Sequence, residues 1–188
     1  MTSGRTIRDE TAEDRAAVLG VIGAAFEDEP EVVGLWHELR DIAGTQSLVA
    51  VLDGEVVGHV GLTPAWVDAA DRVVEVLVLS PLSVRPDHQR TGIGAELVSA
   101  ALARAAELGS PAVFLEGDPA YYSRQGFGPA REHGFTPPSA RIPGAAFQVV
   151  LLPAHDPSVT GALVYPDVFW RHDAVGLRGE NLERYLGR

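Results

Sequence analysis

The 188-residue chain is 46% hydrophobic and carries a formal net charge of -11, which suits one soluble domain, 1–188, built around a single core. The acidity argues against nucleic acid or an anionic membrane as a partner, because phosphate-rich surfaces are bound by clustered Lys and Arg; it suits a cationic amine substrate, or serves solubility alone. With no cysteine, disulfides, zinc-thiolate sites and thiol nucleophiles are excluded, and His37, His59, His88, His133, His155 and His172 include no pair spaced for a metal, so none is expected.

Thr6-Ile7-Arg8 reads as a short strand. Thr11 and Asp14 read as a helix start, with the hydroxyl at the N-cap and an acid in the first turn. Residues 16–26 form the first helix. That run is too short to span a membrane, and Asp9, Glu10, Glu13 and Asp14 before it spoil a signal-peptide start, so a cytoplasmic protein is expected. After Pro30, Val32, Val33, Leu35, Trp36 and Leu39 recur at helical spacing, giving a second helix to about Asp41.

Residues 47–52 and 55–62 are apolar and β-branched and flank Asp53-Gly54, a hairpin signal. Residues 72–79 continue as a third, longer strand whose lack of alternation predicts burial on both faces at the centre of the sheet. Pro81 interrupts it, which a central strand tolerates where the ladder is already broken, as at a bulge. The chain resumes as Leu82-Ser83-Val84, with backbone groups free to pair with an extended ligand.

Residues 84–94, Val-Arg-Pro-Asp-His-Gln-Arg-Thr-Gly-Ile-Gly, join that strand to a helix. A helix start offers backbone N–H groups without intrahelical partners and partial positive charge, so anions settle there. Gly92 and Gly94 let a phosphate approach the amides, while Arg85 and Arg90 add fixed positive charge. A P-loop is excluded because the chain has no lysine, and a dinucleotide fingerprint fails because Leu97 stands where its third glycine belongs. From Gly92 to about Leu108, Ile93, Leu97, Ala101, Ala105 and Leu108 form one apolar stripe, with Glu96, Arg104 and Glu107 off it. Gly109 ends the helix and residues 112–115 form the next strand, so a parallel βαβ unit is expected.

The run Val84-x-Pro86-x-x-Gln89-Arg90-x-Gly92-Ile93-Gly94 resembles the acetyl-CoA signature of the GCN5-related N-acetyltransferases (GNAT). The resemblance implies an α/β fold with a mixed, mostly antiparallel central sheet whose parallel βαβ core splays to bind acetyl-CoA, the co-substrate, between strands 72–84 and 112–116. It implies that the amides of Gln89, Arg90, Thr91, Gly92, Ile93, Gly94 and Ala95 hold the CoA pyrophosphate, and that Leu82, Ser83 and Val84 pair with the pantetheine arm.

A second stretch, Gly117-Asp118-Pro119-Ala120-Tyr121-Tyr122-Ser123-Arg124-Gln125-Gly126-Phe127, opens with a capping Asp and a Pro suited to the first helical position, and Gly126 stops the helix within about two turns. Its Tyr122-x-x-x-Gly126-Phe127 spacing resembles the family's second motif and implies Tyr122 as the general acid that protonates the departing thiolate; packing against Phe127 is the alternative. Tyr121 reads as core or pocket wall. Many family members place a glutamate on the strand before the signature, but Val78 to Leu82 contain no carboxylate and only Ser80 is polar. The base is therefore open, with Glu116, Glu31 and Ser80 as candidate base or acceptor contacts, each carboxylate alternatively a surface acid, and Glu75 a strand-edge or paired residue.

The core motifs span about 72–130. Residues 131–188 are a proline-punctuated accessory segment in which strand 146–152 closes the sheet. Gly161-Ala162-Leu163-Val164-Tyr165-Pro166-x-x-Phe169, with Gly-Asp-Pro-x-Tyr-Tyr, resembles a bacterial subgroup of predicted N-acetyltransferases with undefined acceptors. The expected function is transfer of an acetyl group from acetyl-CoA to a primary amine, small-molecule or peptide, by direct attack in a ternary complex. The alternatives are a catalytically weak acyl-CoA sensor and an enzyme using ATP or a dinucleotide. The oligomeric state, a homodimer included, is left open.

Overall fold

Asp53 and Gly54 take φ of 51° and 89°, the pair of left-handed residues that a two-residue hairpin turn demands, and the strands on either side pair as the sequence predicts. The computed structural model describes residues 4–186. Its chain divides into two units, one running to Pro64 and adding Val78–Leu108, the other made of Ala65–Leu77 and the chain from Gly109 onward.

The first unit contains β1 (Arg5–Asp9), α1 (Arg15–Ala25), α2 (Glu31–Leu39), β2 (Gln46–Leu52), most of β3 (Glu55–Ala69), the end of β4 (Val73–Val84) and α3 (Ile93–Glu107). β1 pairs antiparallel with β2, and β2 with β3, with Ile7 opposite Ala50 and Val49 opposite His59. A register shift falls between Ala50 and Val51. The expected start is present: Thr11 is the N-cap of a 3-10 turn, Ala12–Asp14, that leads into α1, and it forms a capping box with Asp14. The Asp14 carboxylate accepts from the Thr11 N–H (2.8 Å) and hydroxyl (2.9 Å) and is paired with Arg8.

α3 buries Ile93, Leu97, Val98, Ala101 and Ala105. It lies so close to β3 that a Cβ on Gly58 would stand 2.9 Å from Leu97 and 3.0 Å from Ile93. Leu108, expected on this stripe, lies just past the last helical residue and is exposed. On α2, Trp36 is fully buried, with its ring centroid 4.4 Å from that of His59. The His59 Nε2 is 3.0 Å from the Ser47 hydroxyl, which donates to Glu10, which in turn pairs with Arg40. Burial lowers the His59 pKa to about 3, so the ring is neutral at physiological pH.

β3 reaches Ala69, seven residues beyond the expected end at Leu62, and passes through Pro64. β4 is likewise continuous from Val73 to Val84. Pro81 therefore does not divide the strand in two, and the Ser80–Pro81 peptide is cis. Burial of β4 begins only at Val76; Val73 and Glu75 are exposed. Two hydrogen bonds fix the β3–β4 hairpin as antiparallel, Arg85 N–H to Val57 O (2.9 Å) in the first unit and Ala69 N–H to Arg72 O (3.0 Å) in the second.

The second unit adds β5 (Ala112–Glu116), α4 (Pro119–Tyr122), β6 (Gly128–Pro129), β7 (Phe135–Thr136), β8 (Phe147–Leu151), β9 (Gly161–Val164), α5 (Asp167–Arg171) and α6 (Gly179–Leu186). β8 does not close the sheet; it is antiparallel to β5 on one side and to β6 on the other. Its consecutive buried residues Phe147, Gln148 and Val149 explain why, since burial on both faces marks an interior strand. β9 pairs antiparallel with the Trp66–Ala69 stretch of β3 and parallel with β7. The core holds Phe114 stacked on Phe147, centroids 5.8 Å apart, and edge-on to Phe135 at 5.0 Å. The fold is mixed α/β, with both antiparallel and parallel strand pairs.

Candidate active site

In the loop between β4 and α3, two polar side chains are bonded to backbone carbonyls of the same segment. Pro86–His88 makes a 3-10 turn in which His88 N–H reaches Arg85 O (2.8 Å). The Gln89 side-chain amide donates to Val84 O (3.1 Å), and the Thr91 hydroxyl to His88 O (2.6 Å). Arg90 and Gly92 both have positive φ, 61° and 93°, so the chain reverses sharply and enters α3 at Ile93 with Gly92 as N-cap. The first helical N–H with a backbone acceptor is that of Glu96, to Gly92 O (3.1 Å). The N–H groups of Arg90 to Ala95 have none among the described residues, which is the donor array an anion requires.

The two arginines have different surroundings. Arg85, expected to add fixed positive charge, is also a brace: its guanidinium binds Asp87 at 2.8 and 2.9 Å and Glu55 at 3.2 Å. Asp87 first, then Glu55, raises its pKa, and the two carboxylates balance its charge. Arg90 is exposed, and its side chain has no partner among the described residues. Arg5 reaches the loop from β1, donating to Thr91 O (3.2 Å) while paired with Glu96.

Of the residues before the loop, Ser83 is buried with a hydroxyl that has no hydrogen-bond partner among the described residues, and Leu82 and Val84 are half-buried. The Val84 carbonyl is already occupied by Gln89. Ser80 is half-buried, and its carbonyl oxygen would lie 2.7 Å from a Cβ on Gly61. Glu31 is the exposed first residue of α2.

In the second unit, the Asp118 carboxylate caps α4 by accepting from Ala120 N–H (2.8 Å), with Pro119 in the first position. Gly126, at φ 91°, ends the turn that follows. The Tyr122 ring lies edge-on to Tyr121 (4.9 Å) and to Phe127 (5.7 Å). It therefore packs as an aromatic while its hydroxyl has no hydrogen-bond partner among the described residues. Burial, and then Tyr121 beside it, raises the Tyr122 pKa well above that of a free phenol. At physiological pH the group is a neutral O–H donor.

Glu116 is not a free carboxylate. Its Oε1 accepts from the Tyr165 hydroxyl (2.9 Å) and its Oε2 from Gly176 N–H (3.2 Å). Burial raises its pKa, opposed by those hydrogen bonds and by Arg141. Glu116 precedes Gly117 in the chain, and the Tyr122 ring lies against Gly117. Tyr165, Gly176 and the buried Gln148, whose side chain donates to Gly117 O (3.0 Å), take part in this junction and were not singled out from the sequence. Only the Tyr165 segment carried a local signal, its likeness to a bacterial subgroup.

Residues 6–130, which include both motif-bearing stretches, match the family model described as an acetyltransferase (GNAT) domain. The chain belongs to the GNAT acetyltransferase family. It is 36% identical over 171 residues to the uncharacterized N-acetyltransferase YhbS of Escherichia coli K12, covering 88% of this chain and 98% of that protein. Its structure is similar to that of Escherichia coli YhbS in complex with CoA, with a TM-score of 0.81, 30% identity, and coverage of 91% of this chain and 94% of the other. A GNAT family acetyltransferase from Brucella melitensis in complex with acetyl-CoA gives a TM-score of 0.68 at 29% identity, covering 89% and 99%. Among the described residues this acetyltransferase has no group of three or more His, Cys, Asp or Glu that could hold a metal ion, and no helix long and apolar enough to cross a membrane.

Proposed function

We propose that this acetyltransferase transfers the acetyl group of acetyl-CoA to a primary amine, of a small molecule or a peptide, by direct attack in a ternary complex. The observation that carries the reading is the run of backbone N–H groups from Arg90 to Ala95, leading into α3, that have no backbone acceptor among the described residues. Two similar proteins have been solved with CoA or acetyl-CoA bound. The pyrophosphate takes those amides, Arg90 adds charge, and the backbone of Leu82 to Val84 meets the pantetheine arm. The reading extends to the bacterial subgroup marked by Gly117-Asp118-Pro119-x-Tyr121-Tyr122, and to a cytoplasmic location.

In the reaction, a neutral amine attacks the thioester carbonyl, and a backbone N–H near Leu82 stabilises the oxyanion. The C–S bond then breaks, and the thiolate takes its proton from Tyr122. A positioned acid of this kind contributes roughly 10² to 10⁴ in rate. The amine nitrogen loses one proton on forming the amide, and its passage through water to the Tyr122 phenolate restores the enzyme. With Glu116 held by two donors and Glu31 exposed, neither is assigned as base. The absence of cysteine supports direct attack over an acyl-cysteine intermediate.

Thiol release from acetyl-CoA, measured with an aminoglycoside, a polyamine, free amino acids and peptides with free N-termini, tests the reading. It predicts release with at least one amine and initial-rate lines that intersect. Parallel lines would contradict direct attack. Tight CoA binding with no release on any amine would contradict the enzyme reading and favour an acyl-CoA sensor, for which no present observation speaks.

A further inference from the structure

We infer that Gly117 is a positioning residue for the reaction: the missing side chain at this position sets where the Tyr122 hydroxyl stands. The inference rests on the proposal that Tyr122 is the general acid. A Cβ built on Gly117 would lie 2.4 Å from Tyr122 Cε2 and 2.8 Å from Cδ2. Ordinary contact begins at 3.4 Å, so the ring would have to retreat by 3.4 less 2.4, or 1.0 Å. Cε2 is bonded to the carbon that bears the hydroxyl, so the retreat moves the reacting end of the ring rather than its root.

Glycine is needed here for space alone. Gly117 does not have the positive φ that excludes side chains, whereas Gly126 has φ +91° and no neighbour nearer than 4.0 Å. The two glycines of the motif thus serve different ends: Gly126 turns the chain, and Gly117 admits the ring.

Neither partner can yield easily. Gly117 N–H donates to Ala146 O (3.0 Å), and its carbonyl accepts from Gln148 (3.0 Å), a side chain only 2% exposed. Glu116, one residue earlier, is held by Tyr165 and Gly176. On the other side Tyr122 N–H is bonded to Asp118 O (3.0 Å), and the ring is flanked by Tyr121 and Phe127. An added methyl group therefore displaces the phenol, and a shift of about 1 Å in a reacting group costs on the order of 10²-fold in rate.

Two double-mutant cycles test this. In the first, thiol release from acetyl-CoA is followed with the fastest of spermidine, lysine, kanamycin and a free-N-terminus peptide, or with water alone as acceptor. Gly117→Ala should lower kcat about tenfold to a hundredfold with the KM for acetyl-CoA changed less than about twofold, and should add nothing further to Tyr122→Phe. Independent, multiplying effects of the two substitutions on kcat would overturn the positioning role. In the second, melting temperatures are compared: Gly117→Ala should destabilise the wild type but not Tyr122→Ala, which removes the ring. Equal loss in both backgrounds would overturn the steric claim. Unchanged turnover in Tyr122→Phe, with coupled melting temperatures, would instead remove the general acid and leave the packing intact.

Discussion

The loop that enters α3 and the junction that leaves β5 solve opposite problems. The loop spends its side chains on its own carbonyls so that its amides stay open; Gln89 and Thr91 both bond to carbonyls of the segment, and Gly92 caps the helix with empty space around it. The junction does the reverse. Its backbone is fully engaged at Gly117, and the group left open is a side chain, the Tyr122 hydroxyl. A site that binds by backbone tolerates change in most side chains and fails at its glycine, whereas one that acts through a side chain is sensitive to everything packed around it.

The largest effect should come at the loop's glycine. Gly92→Glu places a carboxylate among the amides and should weaken acetyl-CoA at least about a hundredfold by calorimetry, while the fold survives at a cost of about 1–2 kcal/mol for the positive φ. Retained affinity would remove the pyrophosphate from this loop. At the junction, Tyr122→Phe should lower kcat about tenfold or more with acetyl-CoA affinity unchanged; full turnover, with chemistry shown to be rate-limiting, would leave the junction a packing device.

Smaller effects sharpen the contrast between the two arginines. Arg90→Gln should weaken acetyl-CoA about twofold to fivefold, as expected for an exposed charge. Arg85→Gln should do less, because Asp87 and Glu55 already balance its charge; a larger loss at Arg85 would restore it as a phosphate ligand. The smallest effect is a pH dependence. Burial raises the folded pKa of Glu116 above that of a free glutamate, so its contribution to stability is present below the free value and is lost as pH rises through the folded value. Glu116→Gln should flatten that part of the stability curve, by less than about 1 kcal/mol. An unaltered curve would assign the slope to other groups.

How much could be read from the chain follows the same division. The loop is eleven consecutive residues, and its strand, turn and helix signals are local, so its course was legible down to Gly92. What was missed there is non-local: the partner that balances Arg85 includes Glu55, thirty residues away. At the junction the cap of Asp118 and the stop at Gly126 were legible, but its hydrogen bonds join residues 31, 49 and 60 apart. No spacing rule reaches that far, and Glu116 therefore read as an open carboxylate. β8 read as a closing strand because its short apolar run cannot say that both its neighbours are strands. Pro81 read as a break because a missing N–H is a local fact, while the pairing that carries β4 through it is not.

The central claim is that the open amides at the start of α3 hold the pyrophosphate of CoA. Titration calorimetry of the wild-type protein with acetyl-CoA, ATP and NAD tests it most directly. The account predicts saturable one-to-one binding of acetyl-CoA, with ATP and NAD bound far more weakly because they lack the pantetheine arm. Binding of either nucleotide while acetyl-CoA is ignored would contradict it.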